Sequence, residues 1–274
     1  MEKRALLSAA LAALAAGCGG AGSAPPATTA PPPPPKPFRI VFPEGFTRAQ
    51  MGVRVKVVAK IAERERRRPV RLSEGAYLAA SRRGVVPCFG RRPQASLEGF
   101  LFPATYDFLR RTPSRRLVAA QLEAFCRNWR RVDLRYARSR NLTPYDVLTI
   151  ASMIEEEAAV PAERRLVAAV IYNRLHARMP LGIDATLRYG LRIAPTESIR
   201  ESQLRDPTPY NTRLHFGLPP TPISNPGLAA IEAAAHPARV DYLYYARRRD
   251  HRHHFFTASP TAYERFLARN GYGG

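Results

Sequence analysis

The chain is short of several things that would otherwise decide its class. Its one apolar run near the N-terminus, residues 5–16 of 274, is too short to span a bilayer comfortably, since a spanning helix needs about 20 apolar residues. Cysteine is scarce, with only Cys18, Cys88 and Cys126 present. None has a C-x-x-C partner, which argues against a zinc site. There is no H-E-x-x-H and no G-x-x-x-x-G-K-[ST], so neither a metalloprotease helix nor a phosphate-binding loop is written here. No metal and no cofactor is expected. Acidic residues are also few, 22 against 43 Lys and Arg, for a formal charge of +21. That balance points to an anionic partner such as nucleic acid, a membrane or a wall polymer. It is equally the mark of an arginine-rich composition, with residues 64–68, 247–249 and the pair Arg130–Arg131 as solvated faces. What is present is enough apolar residue, 45%, to bury a core.

The N-terminus reads as an export signal. Lys3 and Arg4 precede the short apolar run, and Ala15-Ala16-Gly17 precede Cys18. Small residues before a cysteine at this place resemble a bacterial lipoprotein signal, in which residues 1–17 are removed and Cys18 becomes the acylated first residue. Ala15 stands where leucine is more usual, so a non-lipidated signal peptide or an uncleaved anchor remains open. Residues 18–37 are a Pro/Ala-rich linker without periodicity. In polyproline form at about 3.1 Å per residue, it reaches about 60 Å. An exported chain with Cys18 acylated leaves Cys88 and Cys126, an even pair that outside the cytoplasm can form a disulfide; two free thiols are the alternative. Export also argues against nucleic acid as the partner.

Residues 38–95 read as a small unit. Phe38 to Phe42 alternate in polarity as a strand does, Pro43-Glu44-Gly45 is a turn, and Thr47 caps a helix to about Arg67. A second helix runs from Leu72-Ser73-Glu74 to about Gly84, before a possible closing strand. Further along, Thr143-Pro144-Tyr145-Asp146 is a helix start, with a cap, a proline at the first turn and an acid at the positive dipole end. In the helix that follows, Val147, Leu148, Ala151, Ile154 and Ala158 share one apolar stripe. Of the three glutamates at its end, Glu155 falls inside that stripe and Glu156 and Glu157 outside it. A carboxylate that loses hydration has a raised pKa and holds a proton near neutral pH, which suits a general acid at a glycosidic bond. An acidic cluster with Glu155 bound to a buried arginine fits the same pattern. The next helix, 161–178, carries Asn173 on its apolar face, where an amide needs partners. These are the catalytic carboxyl group, a substrate N-acetyl group or a structural network. His251, His253 and His254 make a poor metal set.

Ordered blocks carry a family resemblance: LEGFLFPATYDF at 97–108, LTIASMIEEEA at 148–158, VAAVIYNRL at 167–175, LGIDATLRYG at 181–190 and TPYNTRLHFGLPPTPISNPGLAAIEAAAHP at 208–237. YLYYA and HHFFT follow. Together they resemble the MltG (YceG-like) family of endolytic murein transglycosylases across most of residues 97–257. The resemblance implies an α+β fold, with a LysM-like subdomain at 38–95 followed by a larger mixed α/β catalytic domain at 96–274. It implies that Glu155, the first glutamate of its block, protonates the oxygen of the MurNAc-β-1,4-GlcNAc bond. The same carboxylate then acts as base toward the C6 hydroxyl, closing a 1,6-anhydro ring. No second carboxylate is needed, whereas a hydrolase usually uses a pair.

Other blocks then read as a groove. Asp184, Thr186, Tyr189, Tyr210, Asn211, Thr212 and Asn225 offer hydrogen bonds or a stacking face, and each serves as readily as a turn former or hydrogen-bond satisfier. Glu98 is a second acidic residue of groove or structural kind. The implied partners are peptidoglycan glycan strands, the membrane through the N-terminal lipid or anchor, and cell-wall synthases. The implied location is the outer face of the cell membrane. Competing readings are a non-catalytic wall-binding module, a hydrolytic muramidase with Asp184 as second carboxylate, and a nucleic-acid binder suggested by charge alone.

Overall fold

The computed structural model describes residues 36–271. The leader, Cys18 and nearly all of the linker lie outside these residues. The described part is a single compact unit of mixed α/β type, mainly helical with two small sheets.

It opens with strand β1 (Phe38–Val41), then helix α1 (Arg48–Arg66) and helix α2 (Glu74–Ala80). Thr47 closes a capping box with Gln50 at the start of α1, and Arg67 in the left-handed region (φ 50) ends it. Ser73 caps α2 by accepting from the Ala76 N–H. The predicted strand and both predicted helices are therefore present, the second shorter than expected. It stops at Ser81 because Gly84 turns into a bridge with Gln94.

The strand that closes the first sheet is not within 38–95. It is β2 (Thr105–Phe108), which runs antiparallel to β1 with Phe38 opposite Phe108. Helix α3 (Ser114–Trp129) follows and packs on α2 and β2. Cys88 and Cys126 are joined as a disulfide beneath a ring cluster of Phe89, Phe100, Phe125 and Trp129. The boundary drawn at 95 is thus bridged by a sheet and a disulfide, and one continuous core runs from Ile40 to Ala235.

After the short helix α4 (Arg135–Ser139) comes α5 (Pro144–Glu157), capped by Thr143 and Asp146 as the sequence predicts. Every residue from Val147 to Ile154 is buried. The expected single stripe is therefore incomplete. A helix buried on all sides is a core helix, and α5 is enclosed by α6 (Arg164–His176), α7 (Asp184–Leu191) and α9 (Leu228–Ala235). Pro161 begins a 3-10 turn, so α6 starts at Arg164 rather than at 161. The alanines of α9 let it lie close along α5. Helix α8 (Glu201–Leu204) sits in the long connection before α9. Strands β3 (Tyr244–Arg247) and β4 (His254–Thr257) form an antiparallel hairpin, and α10 (Pro260–Asn270) ends the described chain. His251 lies in the hairpin turn and His254 is buried against Glu163, so the three histidines do not converge. Among the described residues no cluster of His, Cys, Asp or Glu is arranged to hold a metal. None of the described helices is long and apolar enough to cross a membrane.

Candidate active site

The C-terminal turn of α5 meets two loops, 43–47 before α1 and 222–227 before α9. Asn225 joins them. Its backbone N–H donates to the Phe46 carbonyl, its carbonyl accepts from Gly45, and its side-chain amide holds the Leu101 N–H, the Phe46 carbonyl and Glu98. Gly99 must be glycine, with φ +88 and Pro222 where a Cβ would stand. The Oγ of Ser152 on α5 accepts from the Ile223 N–H of the loop, and the Ser224 hydroxyl donates to the Ser152 carbonyl. The loop is therefore fixed to the helix that carries the glutamates.

Glu155 lies at this junction with 8% of its side chain accessible. The Gly227 N–H donates to its Oε2 at 2.9 Å. The Arg164 guanidinium, from the first residue of α6, stands 3.8 Å from Oε1, too far for a hydrogen bond. Desolvation raises the pKa of Glu155. The Gly227 N–H opposes this, the Glu44 carboxylate adds to it, and Arg164 opposes it. Glu44 occupies the space where a Gly227 side chain would be, so only glycine lets this carboxylate and the Gly227 N–H both reach the site. Arg164 carries a buried Nε without a hydrogen-bond partner, so it acts on Glu155 as a charge rather than as a clamp.

Two further carboxyls share the neighbourhood. Glu98, 3% exposed, is pushed up to about 7 by burial, against hydrogen bonds from the Arg48 N–H, the Tyr189 hydroxyl and Asn225. Glu156 is also pushed up to about 7, first by desolvation and then, against a Ser224 hydrogen bond, by the charges of Glu155, Glu157 and Glu98. Much of Glu156 still meets solvent, so water screens its shift more than that of Glu98. Glu157 is held by the Tyr245 hydroxyl at 3.2 Å.

The expected groove residues divide. Glu98, Tyr189 and Tyr210 come together, with Tyr189 donating to Glu98 and the two rings 5.1 Å apart. Asn225 is at the site but buried, and its amide is fully engaged by protein. Thr186 and Thr212 are buried and bonded to each other at 3.0 Å, and Asn211 holds the carbonyls of Leu204 and Asp206. All four are buried, with their side chains hydrogen-bonded within the protein. Asn173 is likewise bonded within the protein. Its amide donates to the carbonyls of Val240 and Tyr242, and it lines an open cavity of about 850 Å³ whose walls do not include Glu155. Asp184 is ion-paired with Arg213 at the surface; the carboxylates that the structure brings to Glu155 are Glu44 and Glu156 instead. Sequence reasoning missed Glu44, Arg164 and Gly227. Glu44 is legible in the sequence only as part of a turn, and no periodicity links positions on different elements.

A desolvated carboxyl at the end of a buried helix, held by one loop N–H and flanked by other carboxyls, is an arrangement able to exchange a proton near neutral pH. The chain belongs to the YceG-like family, whose model matches residues 7–268. It is similar to the endolytic murein transglycosylase of Bacillus subtilis (strain 168), with 36% identity over 157 residues, 57% of this chain and 43% of that one. It is also similar to the endolytic murein transglycosylase of Streptococcus pneumoniae R6, with 38% identity over 156 residues, 54% of this chain and 28% of that one. The matched region therefore spans less than half the length of these relatives. A crystal structure of a YceG-like protein from Listeria monocytogenes superposes with a TM-score of 0.68 at 26% identity, covering 83% of this chain and 75% of that one.

Proposed function

We propose that the chain is an endolytic lytic transglycosylase of peptidoglycan. It cleaves the MurNAc-β-1,4-GlcNAc bond without water and leaves 1,6-anhydroMurNAc ends. Glu155 donates its proton to the leaving oxygen, then accepts the proton of the C6 hydroxyl as that oxygen closes onto C1. The observation that carries this reading is the placement of Glu155, partly desolvated and held on one oxygen by Gly227, in a chain whose relatives are named for this reaction. A raised pKa keeps the acid form populated nearer neutral pH. Oε2 accepts from the Gly227 N–H, which leaves Oε1, 3.8 Å from the Arg164 guanidinium, as the oxygen that would carry the proton. Tyr189 and Tyr210 would face the sugar, and Glu98 would hold Tyr189 in place from beneath. The β–α–α–β order of residues 38–108 supports a LysM-like subdomain there, extended past residue 95. The protein would be exported and held at the outer face of the cell membrane by its N-terminus, acting on glycan strands alongside cell-wall synthases.

The test is mass spectrometry of products from purified peptidoglycan. Anhydro-MurNAc ends are the expected result. Reducing MurNAc ends would instead make it a hydrolase, a reading that the nearby Glu44 and Glu156 carboxylates keep in play. No new ends at all would leave a wall-binding module, for which the Arg164 charge beside Glu155 speaks.

A further inference from the structure

Helix α1 is amphipathic in an unusual sense. Its inner side is core, through Met51, Val55, Ala59 and Ala62. Its outer side is not simply polar. Val53, Val57 and Ile61 are 51%, 47% and 46% exposed, and their spacing of four puts them in one row along the helix. Lys56, Lys60 and Arg64 fall in the same sector, and Lys60 and Arg64 are exposed. Arg67 and Arg68 continue the basic surface past the end of the helix. Long cationic side chains interleaved with aliphatic ones can lay their stems along an apolar layer and keep their charges at its rim.

The chain also enters the structure here. Arg66 donates to the Lys36 carbonyl at 3.1 Å and lies over the Phe38 ring at 4.8 Å. Lys36, the first described residue, therefore lies beside this basic end of α1.

We propose that the outer face of α1 docks on an anionic lipid surface, with Val53, Val57 and Ile61 entering the headgroup boundary and Lys60 and Arg64 meeting lipid phosphates. Charge complementarity selects this occupant, because the row of aliphatics is flanked by cations and the whole chain carries +21. The surface itself does not depend on the proposed reaction. Its consequence does, since the Arg48 N–H at the other end of α1 donates to Glu98, so a docked α1 would hold the glutamate site near the membrane.

The core closes within the described residues, so residues 36–274 can be tested without the leader. The assay is sedimentation with vesicles of phosphatidylcholine alone and with an equal share of phosphatidylglycerol. Binding is expected only with the anionic lipid. It should fall about tenfold both in the Val53→Ser/Val57→Ser/Ile61→Ser variant and in Lys60→Glu/Arg64→Glu. Arg249→Glu/Arg252→Glu, on the β3–β4 turn, should stay within about twofold of wild type. If the triple variant melts early, the single Val57→Asp replaces it. An unchanged serine variant would mean unspecific charge attraction and would overturn the proposal. So would equal losses in the hairpin variant, or a dimer in solution that the serine variant dissolves.

Discussion

Glu155, Glu98 and Arg164 show how differently single residues can be read. The sequence placed Glu155 on the apolar side of its helix, and the structure does desolvate it. The apolar stripe alone does not single it out, because α5 is buried on every side from Val147 to Ile154 and the nearby Glu156 is shifted as well. Arg164 was legible only as the unnamed arginine of the alternative reading, since its approach to Glu155 depends on where α6 begins. Arg164→Met removes a charge that favours the Glu155 carboxylate, so the Glu155 pKa rises further. The alkaline limb of the kcat/KM profile should then move to higher pH, where a mere packing role would leave it in place. Glu98 gives a stability prediction. Its folded pKa of about 7 lies above the ordinary 4.5, so the folded state holds the proton more tightly than the unfolded one. Stability is unaffected below 4.5, falls as pH rises from 4.5 to about 7, and is then level. The loss is about 3 kcal/mol for a shift of this size. Urea unfolding at pH 5 and pH 8 should show that loss in wild type and a flatter response in Glu98→Gln.

At the scale of elements, what was local was readable. Thr47 and Thr143 cap α1 and α5 as their neighbours in sequence require, and Pro144 starts α5. What depends on partners far along the chain was not. Thr186, Thr212, Asn211 and Asn225 look like sugar-binding groups because they are polar and sit in loops, but tertiary packing buries and satisfies each. The closing strand of the first sheet was missed for the same reason, since β2 is defined by pairing with β1 across more than sixty intervening positions. The α5–α9 contact makes its own prediction. Ala234 is fully buried on α9, and Ala234→Leu should cost about 1–3 kcal/mol by overpacking. Because Gly227 immediately precedes α9, the same variant should lower turnover by displacing the N–H that holds Glu155. Chemical denaturation and a turnover assay on the same preparation separate the two effects.

For the whole molecule, composition set bounds that the fold respects. A chain with 45% apolar residues does build one core, but that core ignores the boundary drawn at residue 95. Linker composition marks domain ends well where chain contacts stop, and here β1–β2 and the Cys88–Cys126 bridge carry contacts straight across. The bridge closes a loop of 38 residues, so Cys88→Ser/Cys126→Ser should cost about 3–4 kcal/mol on the chain-entropy account. The melting temperature with and without reductant checks this: wild type should respond and the double variant should not. The charge of +21 was readable as a total but not as a surface, because only the fold shows which cations accompany exposed aliphatics on α1.

The most direct test of the account compares turnover of three single variants, Glu44→Gln, Glu155→Gln and Glu156→Gln, on the same glycan strands. Glu155→Gln should lose on the order of 10²- to 10⁴-fold, the contribution of a positioned acid–base group. The other two should stay within about tenfold of wild type, since they bear on Glu155 only through its surroundings. Full loss in Glu44→Gln or Glu156→Gln with Glu155→Gln still active would contradict the assignment of the acid.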